Sequence, residues 1–288
     1  AAAVLPELAA VVEEVGDPHA LDRIEREAAA TVRRNPAARA AVSIACHDLA
    51  AKRLGVPLYR LWGLDPERAP RTSFTVGIDA PDRMREKAAA AVEAGHRVLK
   101  LKLGTDDDRA RVEAVREAAP ADEVRIRVDA NEAWRPKEAV RKSRWLADLG
   151  VEFVEQPVPA ENPEGMRCVH EHGPLPVAAD ESCETLADVA RVAGLADVAN
   201  LKLMKCGGLR EARRMVHAAR AHGLEVMLGC MVESAASIAA GCHLAPLLDY
   251  ADLDGALLLA EDEFEGPDLS DGTIPLTEEW PGTGARGR

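Results

Sequence analysis

The chain has 288 residues, 47% hydrophobic and 30% charged, with a net charge of −13 and a pI near 5.2. This composition is globular and allows one large core or two modest ones. The acidic balance argues against a nucleic-acid partner, which would want a basic stripe.

Six cysteines, Cys46, Cys168, Cys183, Cys206, Cys230 and Cys242, are scattered without a CxxC pair. They read as reduced, mostly buried thiols rather than disulfides or zinc ligands. No apolar stretch approaches the roughly 20 residues of a membrane span. The opening AAAVLPELAA lacks the basic start and long apolar run of a signal peptide. We therefore expect a cytoplasmic protein with no nucleic-acid or membrane partner.

Residues 1–72 are helical in character. NPAARAAVSIACHDLAAKRLGV carries an apolar face at i, i+3, i+4 spacing ahead of PLYRLWG. This is too little for an independent fold and suits the remainder of a second domain packed on the rest of the chain. From residue 73 to about 262 a short β-rich apolar run, a turn and a helical stretch alternate. The runs are SFTVGI (73–78), VLKLKL (98–103), VRIRVDA (124–130), VEFVEQP (151–157), LPVAADE (175–181), VANLKLMK (198–205), LEVMLGC (224–230) and LDYADLDG (248–255). Between them, PKEAVRKSRWLADLG and LREARRMVHAARAHG end in Gly, where a helix C-cap wants it. Eight strands alternating with helices imply parallel pairing with helical crossovers. They fit a closed (β/α)8-type barrel better than an open doubly wound sheet, which stays as the alternative. Residues 263–288 include DGTIPLTEEWPGTG (271–284), read as a strand and turn returning to the first domain.

Charges interrupt these apolar runs where a barrel carries its chemistry, at the C-terminal strand ends. They are Lys100 and Lys102 on strand 2, Asp129 on strand 3, Glu155 on strand 4, Asp180 on strand 5, Lys202 and Lys205 on strand 6, and Asp252 and Asp254 on strand 8. A single such charge is ordinarily a solvated turn residue. From Lys102 through Asp129, Glu155 and Asp180 to Lys205, however, the steps are 27, 26, 25 and 25 residues, so each reaches about the same height. Three carboxylates converging from neighbouring strands make an oxygen-rich pocket for a hard cation, here one Mg²⁺ per subunit. Strands 2 and 6 stand opposite in a ring of eight, which sets Lys102 and Lys205 across the mouth with the metal between. A lysine acts as a base where burial, a nearby cation or a neighbouring ammonium favours its neutral form. Lys100 supplies that neighbour to Lys102. Two bases flanking a metal-held carboxylate imply 1,1-proton transfer through an enediolate, that is, racemisation or epimerisation.

These residues resemble the enolase superfamily, within it the muconate-lactonizing-enzyme subgroup. The resemblance rests on KLK (100–102), DAN (129–131), EQP (155–157), DES (180–182) and KLMKCGG (202–208). It implies a modified (β/α)7β barrel, an acid/base pair of Lys102 and Lys205, and Mg²⁺ on Asp129, Glu155 and Asp180. Asn131 and Lys202 would be supporting residues, and the protein a homo-oligomer. GCMVES (229–234), with Cys230 and Met231, and the DLDG stretch (252–255) are similar to the dipeptide epimerases. GCMVES equally suits a packed strand end, with Glu233 and Ser234 capping the next helix. Asp252 and Asp254 lie across the barrel from strand 4, where they suit the ammonium of a dipeptide whose carboxylate the metal holds, or a loop cap. The subgroup carries an N-terminal capping domain. Roughly 70 to 80 further residues of it are expected at the front, and the start at Ala1 rather than Met points to truncation.

The leading reading is a Mg²⁺-dependent dipeptide epimerase with a small-molecule dipeptide substrate. The alternatives are N-succinylamino acid racemase, o-succinylbenzoate synthase or muconate cycloisomerase chemistry, or a non-catalytic Mg²⁺-binding barrel. An aldolase or hydrolase ranks last, since neither needs two opposed lysines. His47, His96 and His243 read as structural, and Trp134 either walls the site or packs on the barrel rim.

Overall fold

All 288 residues are described by a computed structural model. Each of the eight apolar runs contains a strand: β1 (Phe74–Val76), β2 (Val98–Lys102), β3 (Arg125–Asp129), β4 (Val151–Glu155), β5 (Val177–Ala179), β6 (Val198–Lys202), β7 (Glu225–Gly229) and β8 (Tyr250–Asp252). They pair in parallel in chain order. A single bridge between Thr72 and Ala251 brings β8 back to the start of β1, with Ser73 N donating to Ala251 O at 3.1 Å. An α-helix follows each of the first seven strands, but only a 3₁₀ turn, Gly255–Leu258, follows β8. The architecture is thus the (β/α)7β barrel. The helices Pro136–Asp148 and Leu209–Ala221 are followed closely by Gly150 and Gly223, both left-handed (φ 69° and 77°), as the sequence pattern indicated.

Alternation along the strands sorts the residues. One set faces the helices and joins a 54-residue hydrophobic core. The other fills the barrel in layers. Phe153, Ala178, Val198 and Met227, with Tyr250 against them, form an apolar floor. The Arg127 guanidinium lies 5.3 Å from the Phe153 ring centre and 4.8 Å from that of Tyr250, and its Nε donates to Glu152 Oε2 at 2.7 Å. Two residues further along come Asp129, Glu155, Asp180, Asn200 and Asp252, all buried. The polar layer therefore sits on a dry base.

Before the barrel, α1 (Leu5–Val15), α2 (Leu21–Thr31) and α3 (Pro36–Leu54) share a small core of Leu8, Val11, Ala28, Val32 and Ala38. Helix α3 rests on the β6 side, so closely that a Cβ on Gly208 would run into Ser43. Residues 271–284 are irregular loop and bends rather than the expected strand, and they make one bridge, Gly282 to Pro57. Gly282 N donates to Val56 O at 3.0 Å, and Thr283 N and Oγ1 donate to Asp48 Oδ1 at 2.8 and 2.9 Å. Pro275 and Pro281 lack the N–H a ladder needs, and the segment's one ladder, Arg286–Gly287 on Phe264–Glu265, lies just beyond. No helix is long and apolar enough to cross a membrane.

His243 joins the parts, its Nδ1 accepting from Tyr59 N at 3.1 Å, and His47 Nδ1 lies 2.8 Å from Ser43 O. Both rings are buried, and burial holds each pKa down to about 4. Trp134 packs on the rim, its Nε1 donating to Asp108 Oδ2 at 3.1 Å. Because the folded histidines resist a proton that the unfolded chain accepts near pH 6.5, stability should be full above that pH. It should fall as pH drops toward 4, by roughly 3 kcal/mol per histidine. Urea unfolding across pH 4–7 checks this, and His243→Gln, which keeps an acceptor and a donor without titrating, should flatten the profile.

Candidate active site

Register lines up the site. Lys102 pairs with Asp129 across β2 and β3, and Asp129 pairs with Glu155 across β3 and β4. Glu155 pairs with Ala178, so Asp180 on the same face is one rung higher. Ligand oxygens of Asp129, Glu155 and Asp180 lie within 4.8 Å of one another, and all three residues are buried.

Lys100 stands beneath them, 2% exposed. Its Nζ lies 2.9 Å from Glu155 Oε1, 2.8 Å from Asp252 Oδ2 and 3.1 Å from Asp129 Oδ2. Burial disfavours its charge, yet these carboxylates outweigh burial and hold its pKa well above the usual lysine value. Lys102 shares Asp129 Oδ2 with it at 2.6 Å and donates to Asn131 Oδ1 at 3.0 Å. Burial opposes the Asp129 charge, but Lys100 and Lys102 overcome it and keep the carboxyl below its ordinary range. Glu155 goes the other way: burial, then the Asp129 charge, push it well above the carboxylate range. Its Oε2 is buried, lies 2.8 Å from Lys100 Nζ outside hydrogen-bonding geometry, and has no donor. An all-oxygen set with one buried oxygen unsatisfied suits a hard divalent cation.

The sequence pattern places Lys205 on strand 6, but β6 ends at Lys202 and Leu203–Cys206 is a helical turn. That turn folds Lys205 back beside Lys202. Their ammonium groups reach opposite oxygens of Asp180, Lys202 at 2.6 Å and Lys205 at 2.8 Å. Burial raises the Asp180 pKa, but the two lysines more than offset it. Lys102 and Lys205 thus stand on the outer two of the three carboxylates.

On β8 the two aspartates differ. Asp252 takes the Lys100 ammonium and, through Oδ1, the Ser73 hydroxyl at 2.5 Å. Asp254 Oδ2 accepts from Thr75 N at 2.6 Å, and Asp254 makes no ion pair. Burial, then the Asp252 charge, push its pKa up to about 6. After β7, Cys230 is half-buried, while Met231 and Val232 are 43% and 62% exposed. The loop presses on Gly255, where a Cβ would strike Met231 O. Ser234 makes no side-chain cap of the helix Ala235–Cys242; Glu233 instead accepts from Met231 N at 2.9 Å and from the Ser237 hydroxyl.

Two residues were not singled out from the sequence. Asn200 donates to Glu155 Oε1 at 2.8 Å; its i, i+2 spacing from Lys202 was the available signal. A Cβ on Gly229 would lie 2.8 Å from Asn200 Oδ1 and 3.1 Å from Lys202 Cε, so glycine there makes room for both. Gln156, fully buried at φ 33°, accepts from Asp180 N at 2.9 Å and Ser182 N at 3.1 Å. It donates to Val158 O at 2.9 Å and Ser182 Oγ at 2.8 Å, which satisfies every polar valence of the amide and ties the end of β4 to that of β5.

Residues 83–287 match the family model for enolase C-terminal domain-like proteins, and residues 3–63 match that for the mandelate racemase / muconate lactonizing enzyme N-terminal domain. The L-Ala-D/L-Glu epimerase of Bacteroides thetaiotaomicron is 42% identical over 274 residues, 95% of this chain and 70% of that protein. The L-Ala-D/L-amino acid epimerase of Flavobacterium johnsoniae is 44% identical over 234 residues, 81% and 68% of the two chains. The dipeptide epimerase of Enterococcus faecalis V583, solved with Mg and L-Leu-L-Tyr, superposes with a TM-score of 0.88 at 38% identity, covering 93% of this chain and 78% of that one.

Lys100→Met should destabilise the metal-free protein by about 3–5 kcal/mol, because it strands several buried carboxylates. Millimolar Mg²⁺ should restore part of that loss. Urea unfolding with and without Mg²⁺ measures both, and a loss below about 1 kcal/mol would count against Lys100 as the compensating charge.

Proposed function

Because the chain belongs to the enolase superfamily, in its mandelate racemase / muconate lactonizing enzyme branch, we propose that it is a Mg²⁺-dependent dipeptide epimerase that inverts the α-carbon of the C-terminal residue by two-base proton transfer. The observation that carries this reading is the flanking of one buried three-carboxylate cluster by two lysines, Lys102 on Asp129 and Lys205 on Asp180. Asp129, Glu155 and Asp180 would hold the ion, which when bound supplies the positive charge that fixes a substrate carboxylate and stabilises negative charge developing on it.

Lys102 ends β2 and Lys205 lies in the helical turn after β6, at the two sides of this cluster. One removes the α-proton from its side of the substrate, and the other returns a proton from the opposite side. Lys100 and Lys202, each locked on carboxylates, set the charge and the geometry around the two bases. Asp254, buried without a cationic partner, would receive the dipeptide's ammonium. Asp252 is already held by Lys100 and acts behind it. A free ammonium at Asp254 favours a dipeptide over an N-succinylated amino acid, whose acyl group offers no such charge. The epimerase names of the relatives support the same reading.

¹H NMR of the protein in D₂O with Mg²⁺ and a panel of L,L-dipeptides, L-Ala-L-Glu among them, tests it. Deuterium should enter the C-terminal residue's α-position and the L,D epimer should accumulate. Lys102→Ala and Lys205→Ala should each cut epimerisation by about 10²–10⁴-fold. No exchange with any dipeptide, with Mg²⁺ binding confirmed, would refute the proposal. Asp254→Asn should raise KM for free dipeptides by about 10-fold or more while leaving kcat within about 2-fold; exchange only with N-succinylated substrates would favour the racemase alternative.

A further inference from the structure

Lys102 has a support that Lys205 lacks. Its Nζ donates to Asn131 Oδ1 at 3.0 Å, and Asn131 Nδ2 donates in turn to Glu181 Oε1 at 3.2 Å. The chain of bonds runs from the loop after β5, past β4, to the lysine on β2. Its ends determine its middle. An ammonium only donates and a carboxylate only accepts, so the amide between them has one favourable orientation. Glu181 occupies this place at a cost, since its Oε2 is buried and has no donor. The Asn131 backbone is constrained as well. It sits at φ 40°, beside Glu132 at φ 68°, and Asn131 N donates to Asp129 Oδ1 at 2.8 Å. Glu132 N donates to Gln156 O at 2.8 Å, and Glu132 Oε1 accepts from Ala160 N at 2.6 Å, so the turn after β3 is pinned to the turn after β4. Lys205, by contrast, has Asp180 at 2.8 Å and beyond it only Glu184, at 4.0 Å.

We infer that Glu181 is a positioning residue that acts through Asn131 on Lys102 and on only one of the two bases. It makes the machinery asymmetric: one lysine is oriented by a relay of its own, the other by a metal-ligand carboxylate alone. Asp129 and Asn131 take two of the three Lys102 donor positions and leave the third without a protein partner. The inference rests on the two-base reading above. It deepens that reading by giving the two hands of the substrate different sensitivities to one remote side chain.

The test separates the hands. Initial rates of α-proton exchange in D₂O are measured from L,L- and L,D-dipeptides for wild type, Glu181→Ala and Glu181→Gln, and again in a Lys205→Ala background. Glu181→Ala should lower kcat for one epimer by about 10-fold and for the other by less than about 2-fold, with little change in either KM. Glu181→Gln should recover part of the loss. In the Lys205→Ala background, the remaining one-handed exchange should fall by the same factor. A second readout needs no turnover: competitive acetylation of the metal-free protein, mapped by mass spectrometry, should show altered Lys102 reactivity in Glu181→Ala and unchanged Lys205 reactivity. Equal slowing of both epimers, or no slowing of either, would overturn the inference. If wild type exchanges neither epimer, the epimerase reading falls, and unchanged Lys102 acetylation would then reject the relay by itself.

Discussion

The site depends on how negative charge is tolerated in a closed space. Asp129, Glu155, Asp180 and Asp252 are all buried at one end of the barrel. Carboxylates this close and this dry repel one another and lose hydration, and they persist only if positive charge is built in among them. Lys100 supplies it, touching three of the four and paired with nothing else. Lys102 compensates Asp129, and Lys202 and Lys205 compensate Asp180. Glu155, in the middle, shares Lys100 with Asp129 and Asp252 and has no lysine of its own, and its buried Oε2, 2.8 Å from Lys100, accepts no hydrogen bond. Four lysines thus face these four carboxylates, which keeps the pocket close to balanced before any metal enters.

Barrel geometry turns this balance into a directional site. Parallel register sets Lys102, Asp129 and Glu155 side by side, and alternation stacks them over the apolar floor of Phe153, Val198 and Met227. The loops at the mouth are fixed by bonds of their own: Gln156 ties β4 to β5, and Asn131 ties Lys102 to Glu181. Lys102, Asp129 and Glu155 are thus placed by strands, while Asp180 and Lys205 lie in the turns just after β5 and β6.

Much of this was legible in the sequence because a strand's period of two is rigid. A charge every 25 to 27 residues at the end of an apolar run leaves little freedom in height or direction. The eight strands and the three-carboxylate cluster both come from that regularity. What was hidden belongs to contacts without a period. LKLMK continues an apolar run and so reads as strand through Lys205, yet Gly207 and Gly208 permit a helical turn that carries this lysine to Asp180. Asp252 and Asp254 look equivalent two residues apart, and only packing shows that Lys100 occupies the first. Glu181 lies inside the DES motif, but its partner Asn131 is 50 residues away, a pairing that no local pattern encodes.

The central claim is that Asp129, Glu155 and Asp180 form a single divalent-cation site between the two lysines. Anomalous diffraction from crystals of the protein grown with Mn²⁺ tests it most directly. One manganese ion per chain, bonded to all three carboxylates, is the expected result. No peak there, or a peak elsewhere with the carboxylates still closed on Lys100, Lys102 and Lys202, would contradict the account.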